Sequence, residues 1–281
     1  LLSRFFAAQH TQVTYVDMTD HQAFQTAIDT HQPDVVLVES ISNPLLKVAD
    51  IATISKIAHG VDARVVVDAT LSTPVLSQPL IQGADLVVHS ATKYLSGHAD
   101  ATGGVVVARA GMLLDNLRRY SHVLGAVLGP FEARLISRGL KTLSLRMKQQ
   151  CLNAQHVAEA LSSHRAVSHV YYPGLKCHPQ HRLAGLLFCG GRFGGMLSFD
   201  LVDGSRDKAF KFMDSLKLIL SATSLGDVYS LVTYPPLSSH RDVPRDVRHA
   251  FGIGDGLVRL SIGIEDSGDI LTDITQALNQ L

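Results

Sequence analysis

The sequence predicts an α/β protein: a larger unit over residues 1–135 built on a mostly parallel sheet, then a smaller α+β unit over residues 136–281. Three observations predict it. Short apolar, β-branched runs at 35–38, 65–67 and 86–88 alternate with segments of helical period, the pattern of strand–helix–strand repeats. From Glu132 the apolar spacing changes to three and four, through Ile136, Leu140, Leu143, Met147, Cys151, Ala154, Val157 and Leu161. Beyond that helix, residues 196–200 and 258–262 alternate apolar and polar, as half-exposed strands of an antiparallel sheet do.

The elements follow in order. Residues 1–9 read as helical and residues 14–17 as a short strand. Asp20 is placed to cap a helix that carries Phe24, Ala27 and Ile28 on one face. The continuous run Val35-Val36-Leu37-Val38 suits a strand buried on both faces. A polar loop from Glu39 to Pro44 leads to a helix marked by Val48, Ile51, Ile54 and Ala58 and ended by Gly60. Strands at 65–67, 86–88 and 105–107 complete the first unit. The segment from Glu132 reads as one long helix, with Gly139 as a local weakness. Tyr172-Pro173-Gly174 is a turn, Phe210, Met213 and Leu216 mark a helix, and a closing helix is capped near Asp266 or Ser267.

Composition bounds the function. The chain has 281 residues with 25 basic and 25 acidic side chains, so its formal net charge is zero. No basic block points to nucleic acid or an anionic membrane surface, and no apolar run is long enough to span a bilayer. Cys151, Cys177 and Cys189 form no CxxC pair, which fits a reducing compartment, the cytoplasm. The fourteen histidines include no HExxH spacing, and His178 and His181 lie beside Pro179 without further ligands nearby, so no metal is expected. Leu1-Leu2-Ser3-Arg4-Phe5-Phe6 lacks an initiator Met and reads like the inside of a helix, which suggests a fragment.

In an open parallel sheet, ligands bind outside the C-terminal ends of the strands. Three such ends here carry polar groups. The first ends in Glu39 with Asn43 beyond, the second in Asp68 with Thr70 beyond, the third in Ser90, Thr92 and Lys93. Singly, each suits a cap, a turn or a solvated loop. Together they match one cofactor. Pyridoxal phosphate needs a lysine for its aldehyde, a carboxylate facing its ring nitrogen and donors for its phosphate. The opposite charge keeps that nitrogen protonated, and a protonated ring is the electron sink for a substrate carbanion.

The order of these motifs resembles the Cys/Met-metabolism family of pyridoxal-phosphate enzymes, which includes the cystathionine synthases and lyases and methionine γ-lyase. Residues 65–70 and 89–98 carry the resemblance most specifically. Glu39-Ser40-Ile41-Ser42-Asn43-Pro44, Arg138-Gly139-Leu140-Lys141-Thr142-Leu143, Tyr172-Pro173-Gly174-Leu175, Ser224-Leu225-Gly226 and residues 256–265 extend it over nearly the whole chain. The resemblance implies a fold type I (aspartate aminotransferase-like) large domain and a homo-oligomer, a dimer of dimers. It implies that Lys93 holds the cofactor as an imine and later moves the α-proton. It places Asp68 on the ring nitrogen with Thr70 nearby, Ser90 and Thr92 on the phosphate, and Asn43 on the phenolic oxygen. It assigns the substrate α-carboxylate to Arg259, helped by Ser224 and Asn43; a planar guanidinium suits that bidentate task.

Departures from the family pattern qualify the picture. Ala69 replaces the usual Asn between Asp68 and Thr70, and Thr223 stands where cystathionine-handling members often have Glu. His240-Arg241 lies in a loop that, by resemblance, is near the substrate entrance. Family members carry a further N-terminal region with a glycine-containing phosphate loop, a tyrosine that stacks on the cofactor ring, and a Tyr/Arg pair for the neighbouring subunit. Without that region cofactor binding is expected to be impaired. The expected chemistry is γ-elimination or γ-replacement on small sulfur-containing or O-activated amino acids. The alternatives are β-elimination from cystathionine, and a truncated, non-catalytic subunit.

Overall fold

The computed structural model describes residue 6 and residues 9–281. The helical expectation for residues 1–9 lies for the most part outside them. Two sheets organise the chain. The first unit contains α1 (His21–His31), β1 (Val35–Glu39), α2 (Ile51–His59), β2 (Arg64–Asp68), α3 (Thr73–Leu76), β3 (Leu86–Ser90), β4 (Gly104–Ala108) and α4 (Met112–Leu124). Two helices, α5 (Pro130–Leu140) and α6 (Leu143–Ser162), connect it to the rest. The second unit contains β5 (Val167–Tyr171), α7 (His181–Leu187), β6 (Met196–Leu201), α8 (Arg206–Ser215), β7 (Leu220–Ser221), β8 (Leu231–Thr233), α9 (Arg245–Ala250), β9 (Leu257–Ser261) and α10 (Ser267–Leu278).

The first sheet has the order β1-β2-β3-β4, parallel through β3, with β4 antiparallel at its end. Its register matters for function, because Glu39 pairs directly with Asp68. The second sheet, β5-β6-β9-β8-β7, is antiparallel except between β7 and β8. Helix caps fall where the side chains predict. Asp20 Oδ1 accepts from the main-chain N–H groups of Gln22 and Ala23, and Asp266 Oδ1 accepts from Gly268 and Asp269.

Four expectations differ from the structure. Residues 14–17 are not a strand; Asp17 instead turns the chain, accepting from the N–H and hydroxyl of Thr19. β1 is an edge strand, with Val35 and Leu37 each more than half exposed, so one of its faces is open. β6 and β9, read as half-exposed, are buried on both faces between α6, α8, α10 and the loops above them. The long helix is two helices, broken at Lys141 and Thr142. Gly139 lies just before the break, and a Cβ there would stand 2.1 Å from the Ser96 carbonyl oxygen. The glycine thus serves a close approach between α5 and the loop after β3.

Burial links the two sheets through α6. Leu143, Met147 and Cys151 pack with Tyr94, Leu95 and Leu225, while Ala154, Val157, Ala158 and Leu161 pack beneath the second sheet. On the far side Asp273 of α10 holds the approach to β7, accepting from the N–H groups of Lys217, Leu218 and Ile219 at 2.8, 2.8 and 2.9 Å. Burial opposes its ionisation, but these donors prevail and hold the carboxyl below its ordinary range. A folded-state value below the unfolded one gives stability that is full above the unfolded value and lost as pH falls through the folded one. We expect Asp273→Ala to cost about 3 kcal/mol at pH 7, as hydrogen bonds to charged groups do. In urea titrations at several pH values, the gap to wild type should narrow only below about pH 4. A gap that persists undiminished in acid would show that the carboxylate charge is not its source.

Candidate functional site

The C-terminal ends of β1, β2 and β3 converge on a cavity of about 140 Å³. Glu39, Asn43, Asp68, Thr70, Ser90 and Lys93 supply its polar wall, and Ile41, Leu71 and Leu225 its apolar one. The strands position these groups because the parallel register sets the ends of β1 and β2 level, while the chain turns away immediately after each. Thr70 organises two of its neighbours. Its N–H donates to Asp68 Oδ1 at 2.9 Å, and its Oγ1 accepts from the Ser90 N–H at 2.8 Å.

Lys93 follows β3 in a wide turn over Ala91–Leu95, where its own backbone leaves the helical region at φ −89° and ψ −130°. Its Nζ donates to Ser224 Oγ at 3.0 Å. Burial, and secondarily the charge of Arg259, lower the affinity of this amine for a proton. That shift favours the free base, the form that attacks carbonyls and accepts protons.

Arg259 enters from β9 and is 2% exposed. Its Nη1 donates to Asn43 Oδ1 at 3.1 Å, and its Nη2 to the Ser224 carbonyl at 2.9 Å and Thr233 Oγ1 at 3.4 Å. Its Nε is buried without a partner, and among the described residues no carboxylate pairs with it. Burial brings its pKa down to about 10, against a smaller upward effect of Tyr94. A buried cation held by neutral acceptors is suited to pairing with an anionic group. Asn43 accepts from Arg259 with its side-chain Oδ1, and its main-chain N–H donates to Glu39 Oε2 at 3.1 Å; the following Asn43–Pro44 peptide is cis.

The site residues read from the sequence thus come together with one exception. Thr92 is directed away from the cavity: its Oγ1 donates to the Gly103 carbonyl at 3.3 Å and accepts from the Gly103 N–H at 3.0 Å. That pairing braces the turn against the loop before β4. Glu39 gains weight beyond its place as a strand end. Crowding by surrounding atoms, together with the neighbouring Asp68 charge, brings its pKa up to about 7, although the side chain keeps contact with solvent. Thr233 as a partner of Arg259 had no signal in the sequence beyond its position on a strand. Among the described residues, no group of three or more His, Cys, Asp or Glu side chains could hold a metal ion, and no helix is long and apolar enough to cross a membrane.

Comparison with known proteins places this arrangement. The family model for Cys/Met metabolism PLP-dependent enzymes matches residues 1–279. The chain is 44% identical over 265 residues to a cystathionine beta-lyase of Lactococcus lactis subsp. cremoris, covering 94% of this chain and 68% of the relative. It is 46% identical over 269 residues to the L-methionine gamma-lyase of Pseudomonas putida, covering 95% of this chain and 66% of that one. The chain therefore spans about two thirds of the length of these relatives. Among solved structures, it is similar to the cystathionine gamma synthase of Xanthomonas oryzae pv. oryzae in complex with aminoacrylate and cysteine. That likeness has a TM-score of 0.95 at 41% identity and covers 99% of this chain and 71% of the other. An apo methionine gamma lyase from Micromonospora echinospora matches with a TM-score of 0.93 at 40% identity, covering 99% and 74%.

Proposed function

Because the chain belongs to the Cys/Met metabolism PLP-dependent enzymes, we propose that it catalyses γ-elimination or γ-replacement on sulfur-containing or O-activated amino acids. The observation that carries the reading is the meeting at Ser224 of a lysine whose affinity for protons is lowered and a buried guanidinium with no carboxylate partner among the described residues. The donor set suits pyridoxal phosphate. Lys93 would hold its aldehyde, Asp68 would face the ring nitrogen with Thr70 fixing its carboxylate, Ser90 would meet the phosphate, and Asn43 the phenolic oxygen. Thr92 can join Ser90 only by giving up its donation to Gly103. Bound there, the cofactor supplies an electron-withdrawing ring that stabilises negative charge at the substrate α-carbon.

The protein's residues do the rest. Arg259 and Ser224 bind the substrate α-carboxylate, which supplies the anionic group and fixes the α-carbon beside Lys93. Lys93 Nζ, which its surroundings favour as the free amine, takes the α-proton. Ile41, Leu71 and Leu225 exclude water from that side of the cavity. The same reading places the protein in the cytoplasm, in line with its free cysteines, as a homo-oligomer built from dimers. Exposed apolar side chains on α4 and α5, among them Leu124 and Phe131, support such association.

Incubating the purified protein and pyridoxal phosphate with cystathionine or methionine tests the reaction class. We expect 2-oxobutyrate, the keto acid of γ-elimination. Pyruvate from cystathionine would instead establish a β-lyase. Failure to form either keto acid from these or O-acetylhomoserine, with cofactor bound, would favour a non-catalytic subunit.

A further inference from the structure

We propose that Arg146 is a positioning residue for Lys93, tying off the carbonyl end of the turn that carries the lysine and so fixing the direction of its amine. The proposal rests on the reading of Lys93 as the cofactor lysine.

The main-chain hydrogen bonds of the turn show why such a residue is needed. The turn over Ala91–Leu95 closes with Ser96 N–H on the Ala91 carbonyl at 3.0 Å and Gly97 N–H on the Lys93 carbonyl at 2.8 Å. The next two carbonyls, those of Tyr94 and Leu95, have no following turn to donate to them, as at any helix C-terminus. Arg146 donates to both, from Nη1 to Tyr94 at 2.8 Å and from Nη2 to Leu95 at 3.5 Å. Its other edge serves the end of α5, with Nη2 on the Gly139 carbonyl at 2.8 Å and Nε on Thr142 Oγ1 at 3.1 Å. One rigid plane therefore joins the lysine turn to the break between α5 and α6.

Charge and shape agree with this role. Arg146 is 4% exposed, and among the described residues it makes no ion pair. Its partners are carbonyls at two C-terminal ends, where the helix dipole favours a cation. The fit is close on both sides. A Cβ on Gly97 would stand 2.1 Å from Arg146 Nη1, and one on Gly139 would meet Ser96 as described above. A lysine could not serve all four acceptors, because only the guanidinium presents its donors in a fixed fork. Arg146 does not line the cavity; it acts through the main chain on either side of the lysine's exit. The long stem of Lys93 magnifies any change in that exit at Nζ, and a misplacement near 1 Å costs about 10²-fold in rate.

The test compares Arg146→Lys, Arg146→Met and Gly97→Ala in the purified protein loaded with pyridoxal phosphate. Gly97→Ala displaces the guanidinium while keeping its charge, but it also strains a backbone held at φ +69°, so it is read only beside the two Arg146 variants. All three are expected to lower kcat about 10²-fold. KM should change far less, since Arg259 and its partners are untouched. The visible absorbance of the lysine-bound cofactor should titrate at a shifted pH. A purely structural Arg146 would lower Tm while leaving kcat and that titration as in wild type for the folded, loaded fraction, and this result would overturn the proposal. Borohydride reduction and peptide mapping of the wild type separate the two layers. A label on Lys93 beside unaltered variants defeats only the role of Arg146, whereas a label on another lysine defeats that role and the underlying reading together.

Discussion

Lys93→Ala is expected to lower turnover by about 10⁴-fold or more, the upper end of what one positioned base supplies, and to abolish the visible absorbance of covalently held pyridoxal phosphate. The size follows from two tasks resting on one atom. On the proposed reading Nζ both attaches the cofactor and takes the α-proton, and Ser224 Oγ at 3.0 Å cannot replace it as a base. Stability should change by less than about 1 kcal/mol, because the half-buried amine loses one hydrogen bond while a desolvated charge is relieved. Absorbance spectra, keto-acid assays and urea titrations of the same preparation check all three statements. A variant that keeps a borohydride-reducible cofactor bond would refute the assignment of the lysine.

Arg259→Met is expected to separate binding from stability. Truncating one member of a buried charge pair costs about 2–5 kcal/mol in a complex, so kcat/KM should fall by about 30- to 5,000-fold. In the free protein the same arginine is an uncompensated buried cation with an orphaned Nε, and an apolar replacement of similar volume removes that desolvation burden. Against this, Asn43 Oδ1, the Ser224 carbonyl and Thr233 Oγ1 lose a donor. The balance should leave Tm near wild type. If the variant binds amino acids as tightly as before, measured by the spectral change on substrate addition, the carboxylate clamp lies elsewhere. A collapse of stability with binding intact would make Arg259 a structural residue.

Much of this site was legible in the chain because strand ends in a parallel sheet expose consecutive residues to one place. Asp68, Ser90 and Lys93 follow their apolar runs directly, so locating the strands locates them. Arg259 was legible only through motif resemblance, since nothing local says that a strand near the other end of the chain meets the loop after β1 that carries Asn43. The orientation of Thr92 was not legible, because a hydroxyl bonds to backbone as readily as to phosphate and Gly103 is brought to it only by the return of β4. Arg146 was hidden in a helical pattern, where an arginine ordinarily lies on a solvated face. Only the docking of α5 on Ser96 puts it indoors. The open face of β1 was misread because a run of Val and Leu looks the same in an edge strand as in a central one.

The helix α6 has a consequence for how the molecule comes apart. Its first turns belong to the core that walls the lysine and its later turns to the core beneath the arginine. Melting either half would strip buried side chains from the other, so the two are expected to unfold as one cooperative unit. The amine and the guanidinium should therefore be lost together, so partial unfolding is not expected to leave one of them in place without the other.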